Sequence, residues 1–126
     1  MSHSNMKKII IDLDGTLTNA DTKDYQNVSP RLDVIEKLIN FRKIGYYIVI
    51  NTARNMNSFD GNLGKINIHT IPIITEWLDK YSVPYDEIIV GKPWCGTDGF
   101  YVDDKAIRPD EFVNLSENEI SKLITL

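Results

Sequence analysis

The sequence predicts an α/β fold, a parallel sheet sandwiched between helices, and three observations lead there. Short β-rich runs alternate along the chain with amphipathic helical stretches, and the first of those runs is continuously aliphatic. Residues able to do chemistry stand just after the β-rich runs rather than within them. A β-α-β-α-β order implies parallel pairing through right-handed crossovers. With 126 residues the chain is expected to form one domain, residues 1–126, large enough to bury roughly two-thirds of the surface of its unfolded form.

Residues 1–6 read as a flexible leader ahead of a second methionine, Met6. Lys7–Leu13 holds three consecutive isoleucines, the pattern of a strand buried on both faces. Turn-rich sequence runs from Gly15 to Ser29. Ser29 and Pro30 then have the character of an N-cap and a first helical residue. Leu32, Ile35, Leu38 and Ile39 recur at helical spacing, and Gly45 is placed to stop that helix. Tyr46–Asn51 is a second strand, followed by a polar, glycine-bearing loop over 53–69. Thr70 can cap a second helix whose Ile73, Ile74, Trp77, Leu78 and Tyr81 share one face. Asp86–Val90 and Phe100–Val102 are the third and fourth strands expected. Pro109–Leu115 reads as a short helix, and Ser116 with Glu119 has capping-box spacing ahead of a terminal helix ending near Ile124.

The composition, 42% hydrophobic and 25% charged, is that of a folded globular chain. Fourteen basic against eighteen acidic residues give a net charge of −4, which counts against a nucleic-acid binder that works by neutralising phosphates. The single cysteine, Cys95, excludes an intrachain disulfide and a cysteine-rich zinc site. No apolar run approaches the roughly 18 residues of a membrane span. The first aliphatic run is cut short by Asp12 and Asp14, unlike a signal peptide, so a cytoplasmic protein is expected.

Open parallel sheets bind ligands outside the carboxyl ends of their strands. Asp12 and Asp14 follow the first expected strand, Thr52 the second, Lys92 the third, and Asp103 with Asp104 the fourth. In Asp12-Leu13-Asp14-Gly15-Thr16, two carboxylates stand close together before a glycine that permits a sharp exit. One can serve as nucleophile and the other as general acid and base. Taken singly these residues have ordinary readings: Asp-Gly is a common turn, Thr52 a strand residue, Lys92 a solvated lysine, Asp103-Asp104 a helix cap. Together they pose a charge problem. Four aspartates sum to −4, which Lys92 reduces only to −3, and no phosphate dianion enters such a site unaided. One Mg²⁺ and a proton on Asp14 bring the sum to zero. Oxygen donors without a His/Cys cluster suit that hard dication rather than zinc.

This set resembles the haloacid dehalogenase (HAD) superfamily of phosphotransferases. Across most of residues 7–114 the chain is similar, more narrowly, to small bacterial phosphatases of capsular polysaccharide biosynthesis. The segments that carry this likeness are Thr52-Ala-Arg-Asn-Met56, Gly61-Asn-Leu-Gly-Lys-Ile66, Pro84-Tyr-Asp-Glu-Ile88, Gly91-Lys-Pro-Trp94 and the run from Gly99 through Asp103-Asp104 to Pro109. The resemblance implies a three-layer Rossmann-like HAD fold with no cap domain. It implies that Asp12 attacks phosphorus to form an aspartyl-phosphate. Asp14 protonates the leaving oxygen and then deprotonates the hydrolytic water. Thr52 and Lys92 hold the phosphoryl group, within a binding set of Asn51, Thr52, Ala53, Arg54 and Lys92. Asp12, Asp14 through its backbone carbonyl, Asp103 and Asp104 hold Mg²⁺.

Neither loop is long enough for a lid, so the site is expected to be open, roofed only by these two loops or by a neighbouring subunit of a homo-oligomer. The expected substrate is a small phosphate ester, a sugar phosphate of surface-polysaccharide synthesis. The alternatives are a nucleotide or polynucleotide 3′-phosphatase and a non-catalytic phospho-ligand-binding module. Asp21, Asp24, Tyr25, Asn55 and Asn57 are specificity candidates by position. Arg54 reads either as a grip for phosphate or carboxylate or as half of a structural ion pair. Trp94 reads as a sugar-stacking or a core residue, Arg108 as an anchor for the C-terminal segment, His69 as a residue near a helix start, and Cys95 as inert.

Overall fold

A computed structural model of the chain describes residues 7–19 and 24–125; the leader and Asp21 lie outside the described residues. Eight elements follow in order: β1 (Lys8–Ile11), α1 (Leu32–Lys43), β2 (Tyr47–Thr52), α2 (Leu63–His69), α3 (Ile71–Lys80), β3 (Glu87–Val90), α4 (Pro109–Asn114) and α5 (Glu117–Ile124). They fall into two units, Met1–Trp94 and Cys95–Leu126.

The first unit is built on a three-stranded parallel sheet in the order β1-β2-β3. Its register pairs Ile9 with Ile48 and Ile11 with Ile50, and sets Thr52 beside Val90. Ile48 and Ile50 are fully buried, along with Val34 and Leu38 of α1, Ile66 of α2, and Ile74 and Leu78 of α3. Helices around a parallel sheet are the architecture that the alternating sequence demands. The expectation that the first strand is buried on both faces is corrected. Ile10 is 63% exposed, because β1 is an edge strand of the described sheet and β2 is the central one.

Three further expectations change. Helix α1 starts at Leu32, not at Pro30, because the preceding backbone has better partners. Asn19 N donates to Ser29 O (2.9 Å), Arg31 N to Leu17 O (2.8 Å), and Thr18 bridges Pro30. This short antiparallel strap ties the chain after Asp14 to the start of α1. Within the expected 53–69 loop lies α2, whose N-cap Asn62 accepts from Lys65 N (3.1 Å) while Ile66 is buried beneath it. Thr70 does stand at the N-cap of α3 but makes no side-chain cap bond; its hydroxyl donates to Asn55 Oδ1 (2.7 Å).

In the second unit, no strand forms at Phe100–Val102 among the described residues. Phe100 and Val102 are 79% and 88% exposed. β-prone residues need a ladder partner, and this unit holds no strand to supply one. Helix α4 buries Phe112, and Arg108 N donates to Glu111 Oε1 at its start. The Ser116–Glu119 capping box opens α5 as its spacing predicts. Among the described residues no helix is long and apolar enough to cross a membrane.

Candidate active site

The site grows from the turn that closes β1. Leu13 is fully buried, and its carbonyl accepts from the amides of Thr16, Leu17 and Thr18 at 3.2, 2.9 and 3.1 Å. Anchoring this one residue turns its neighbours Asp12 and Asp14 out of the core. Gly15 takes the left-handed φ of +80° that the sharp exit needs. The Asp12 and Asp14 side chains end 36% and 27% exposed, reachable by a ligand yet partly desolvated.

Each carboxylate has its own cation. Lys92 Nζ lies 3.8 Å from Asp12 Oδ1, and Thr16 Oγ1 donates to Asp12 Oδ2 at 3.3 Å. Arg54 grips Asp14 with two donors, Nε to Oδ2 at 3.0 Å and Nη2 to Oδ1 at 2.8 Å. Two further bonds join these pairs through β2. Arg54 N donates to Thr52 Oγ1 (3.0 Å), and Lys92 N donates to Thr52 O (3.2 Å). Asp12, Lys92, Thr52, Arg54 and Asp14 are thus linked by a series of contacts spanning the carboxyl ends of all three strands. Because Thr52 Oγ1 accepts from Arg54 N, its hydroxyl hydrogen is left to be given elsewhere, although the residue itself is buried.

Burial raises the Asp12 carboxyl above the ordinary carboxylate value of 3.8 and outweighs Lys92, which acts in the opposite direction. The Leu13 amide and the Thr16 hydroxyl also lower it, and the neighbouring charge of Asp14 raises it. A half-buried carboxylate held by one lysine at 3.8 Å is only partly compensated.

The structure therefore brings together five of the residues singled out from the sequence: Asp12, Asp14, Thr52, Arg54 and Lys92. Asn51 lies in β2 and Ala53 directly follows it, both partly buried. Asn55 adopts φ +64° and accepts from Thr70, while Asn57 is exposed. Asp103 and Asp104 belong to the second unit, where both are exposed and Asp103 Oδ1 accepts from Lys105 N at 2.9 Å. Neither unit, among its described residues, gathers three or more His, Cys, Asp or Glu side chains around one point. Trp94 is about half exposed. His69 ends α2 immediately before α3, its ring 5.9 Å from that of Phe59.

Sequence reasoning left Arg54 out of the charge sum, and that changes the arithmetic. Two carboxylates face two cations in the first unit, so this four-residue set is neutral. Tyr25, singled out only by position, stacks on the Arg54 guanidinium, with Cζ 4.0 Å from the ring centroid. A tyrosine some thirty residues before an arginine carries no spacing signal, so only the fold could reveal that pair.

The model of a haloacid dehalogenase-like hydrolase family matches residues 9–76, which include the β1 turn, β2 and Arg54. A crystallised target protein from Vibrio cholerae is 66% identical, with 94% of this chain and 97% of that one covered and a TM-score of 0.93. Two chains of Pnkp1/Rnl/Hen1 RNA repair complexes align at a TM-score of 0.50, with 21% and 20% identity. The alignments cover 71% and 88% of this chain but only 27% and 35% of theirs, a likeness of fold alone. The comparison with curated proteins gives no match. With more than half its length under the family model and its sheet carrying Asp12-x-Asp14 at the end of β1, the chain belongs to the haloacid dehalogenase-like hydrolases.

Proposed function

We propose that the protein is a Mg²⁺-dependent phosphomonoesterase that works through an aspartyl-phosphate on Asp12. The observation that carries this reading is the series of contacts joining Asp12, Lys92, Thr52, Arg54 and Asp14. Lys92 beside Asp12 lowers the cost of bringing a phosphate dianion up to a carboxylate nucleophile. Asp12 Oδ attacks phosphorus and the ester P–O bond breaks. Asp14 gives its proton to the leaving oxygen, so an alcohol departs. Water then attacks the same phosphorus, Asp14 takes its proton, and the Asp12–phosphorus bond breaks to release phosphate. The Thr52 hydroxyl and Lys92 hold the equatorial oxygens, so that catalysis is positioning plus electrostatics.

The donor chemistry fits magnesium: the site offers carboxylate oxygens, with no His or Cys among the residues gathered at it. The Asp14 backbone carbonyl, beside the Asp12 carboxylate, is the ligand atom that the family resemblance implies for that residue. Asp103 and Asp104 are proposed as the further carboxylates, on charge alone. When bound, the ion supplies positive charge against the transferring phosphoryl oxygens.

The likeness of the segments around Thr52, Gly61–Ile66 and Gly91–Trp94 to capsule-biosynthesis phosphatases supports a sugar phosphate as the substrate class, and a cytoplasmic site of action goes with it. Among the described residues no lid element interrupts the chain between β1 and α1 or between β2 and α3 beyond the seven-residue α2, which supports an open, capless site. A phosphate-release screen over sugar phosphates, nucleotides and 3′-phosphorylated oligonucleotides, with Mg²⁺ and with EDTA, tests the proposal. Release from sugar phosphates that stops with EDTA and in Asp12→Asn is the expected result. Turnover retained by Asp12→Asn removes the nucleophile assignment, and a marked preference for end-phosphorylated oligonucleotides overturns the substrate class.

A further inference from the structure

Arg54 is the most deeply buried charged group of the site, its side chain 1% exposed. The chemistry of a guanidinium so enclosed is spent on its neighbours. Nε and Nη2 both go to Asp14, the guanidinium plane lies against the Tyr25 ring, and its backbone amide is tied to Thr52 Oγ1. Three elements thus fix one side chain: the end of β2, the turn after β1, and the segment ahead of α1. Nη1 is buried with no hydrogen-bond partner among the described residues, an orphan donor whose desolvation costs the fold stability. A residue kept merely for stability would not be expected to carry that cost beside a carboxylate that remains a quarter exposed.

From this we propose that Arg54, braced by Tyr25, is a positioning residue that sets the orientation of Asp14 for proton transfer to the leaving group; the inference rests on the phosphatase reading above. A fork-shaped guanidinium fixes both the plane and the direction of a carboxyl group, which a lysine cannot do. A carboxyl group has about four lone-pair sites, so the two bonds from Arg54 leave room on either oxygen for the proton that moves. Arg54 acts through Asp14 and touches neither phosphorus nor the leaving atom.

The experiment is kcat/KM, which reports steps up to phosphorylation of Asp12, across esters whose leaving groups differ in acidity: an alkyl phosphate, phenyl phosphate and p-nitrophenyl phosphate. An alkoxide needs Asp14's proton as it departs; nitrophenolate does not. Asp14→Asn should lose about 10²–10⁴-fold on the alkyl ester and far less on the nitrophenyl ester. Arg54→Lys should show the same pattern in weaker form, with the nitrophenyl-to-alkyl ratio rising about tenfold or more. Arg54→Lys added to Asp14→Asn should cost little further. Circular dichroism and thermal melts check that each variant is folded. Where Arg54→Lys is too unstable to assay, Tyr25→Leu releases the brace from the other side and should shift the ratio the same way. An equal loss on all three esters, or full additivity with Asp14→Asn, overturns the positioning role while leaving the phosphatase intact. A wild-type protein inert on every ester overturns the phosphatase reading itself.

Discussion

Asp12 is placed against its own stability. Burial raises its carboxyl above 3.8, so the fold prefers the protonated form. Below the unfolded value both states hold the proton and nothing is lost. As pH rises through the folded value the carboxyl ionises in a half-buried place, and stability falls. Asp12→Asn should therefore abolish turnover and, in metal-free protein at pH 7, raise Tm. The gain should vanish near pH 3, as paired thermal melts in EDTA will check. Tyr47 gives a second titration far from that turn. Its phenol donates to Glu87 Oε2 at 2.5 Å, and this bond to a carboxylate pushes its pKa up to about 12. The sign is that of a raised acid: the contribution is whole below the ordinary value of 10 and fades as pH climbs through about 12. Absorbance at the phenolate band should show Tyr47 titrating late, alongside Tyr85, which burial and its bond to Asp79 also raise, and Glu87→Gln should return Tyr47 toward the ordinary value. At this scale the sequence was informative where spacing is short. Asp12, Asp14 and Gly15 could be read directly, whereas the pairs 40 residues apart, Arg54–Asp14 and Tyr47–Glu87, depend on parallel register that no local pattern encodes.

At the scale of elements, the junction after β3 is the most exacting. Gly91 adopts φ +88°, and a Cβ there would lie 2.6 Å from Leu63 Cδ2 of α2. Its neighbour is Lys92, so the same glycine turns the chain and aims the site's lysine. Gly91→Ala should cost about 1–2 kcal/mol from the left-handed backbone alone. Urea unfolding measures that loss, and a fall in kcat beyond what the unfolded fraction explains would report the displaced lysine. The helix that crowds this glycine is also the one the sequence concealed. Gly64 lowers the helical signal within α2, and Asn62 caps it without the acidic residue three positions on that made α5 legible. Periodicity over ten or more residues located α1 and α3, and aliphatic runs located β1, β2 and β3. The start of α1 was misplaced because the hydrogen bonds of residues 17–19 with 29–31 compete with capping, and Phe100–Val102 was misread because three β-prone residues do not make a strand without a partner.

For the whole molecule the argument turns on charge. Asp12, Asp14, Arg54 and Lys92 cancel, so the first unit alone offers a dication no net attraction. Adding the proposed Asp103 and Asp104 gives a formal charge of −2, which one Mg²⁺ balances. The sum based on sequence omitted Arg54 and therefore needed a proton on Asp14 for neutrality; with Arg54 counted, the proton that Asp14 gives to the leaving oxygen is taken up as the phosphate dianion binds. A single ion per chain is the consequence, and calorimetric titration with Mg²⁺ should give a stoichiometry of one. An ion held only by the folded chain raises its stability by about 2.7 kcal/mol when free Mg²⁺ exceeds Kd a hundredfold, so Tm should rise in step and EDTA reverse it. Asp103→Asn should weaken both the calorimetric binding and the Tm rise. The control is Asp110→Asn on α4, an equal change of net charge at a residue with no assigned ligand role, which should leave both in place. Equal loss in the two variants would mean that the chain's overall charge, rather than a carboxylate ligand, governs the ion. Binding undiminished in Asp103→Asn would remove that residue from the ligand set and leave the first unit to hold magnesium against its own neutrality.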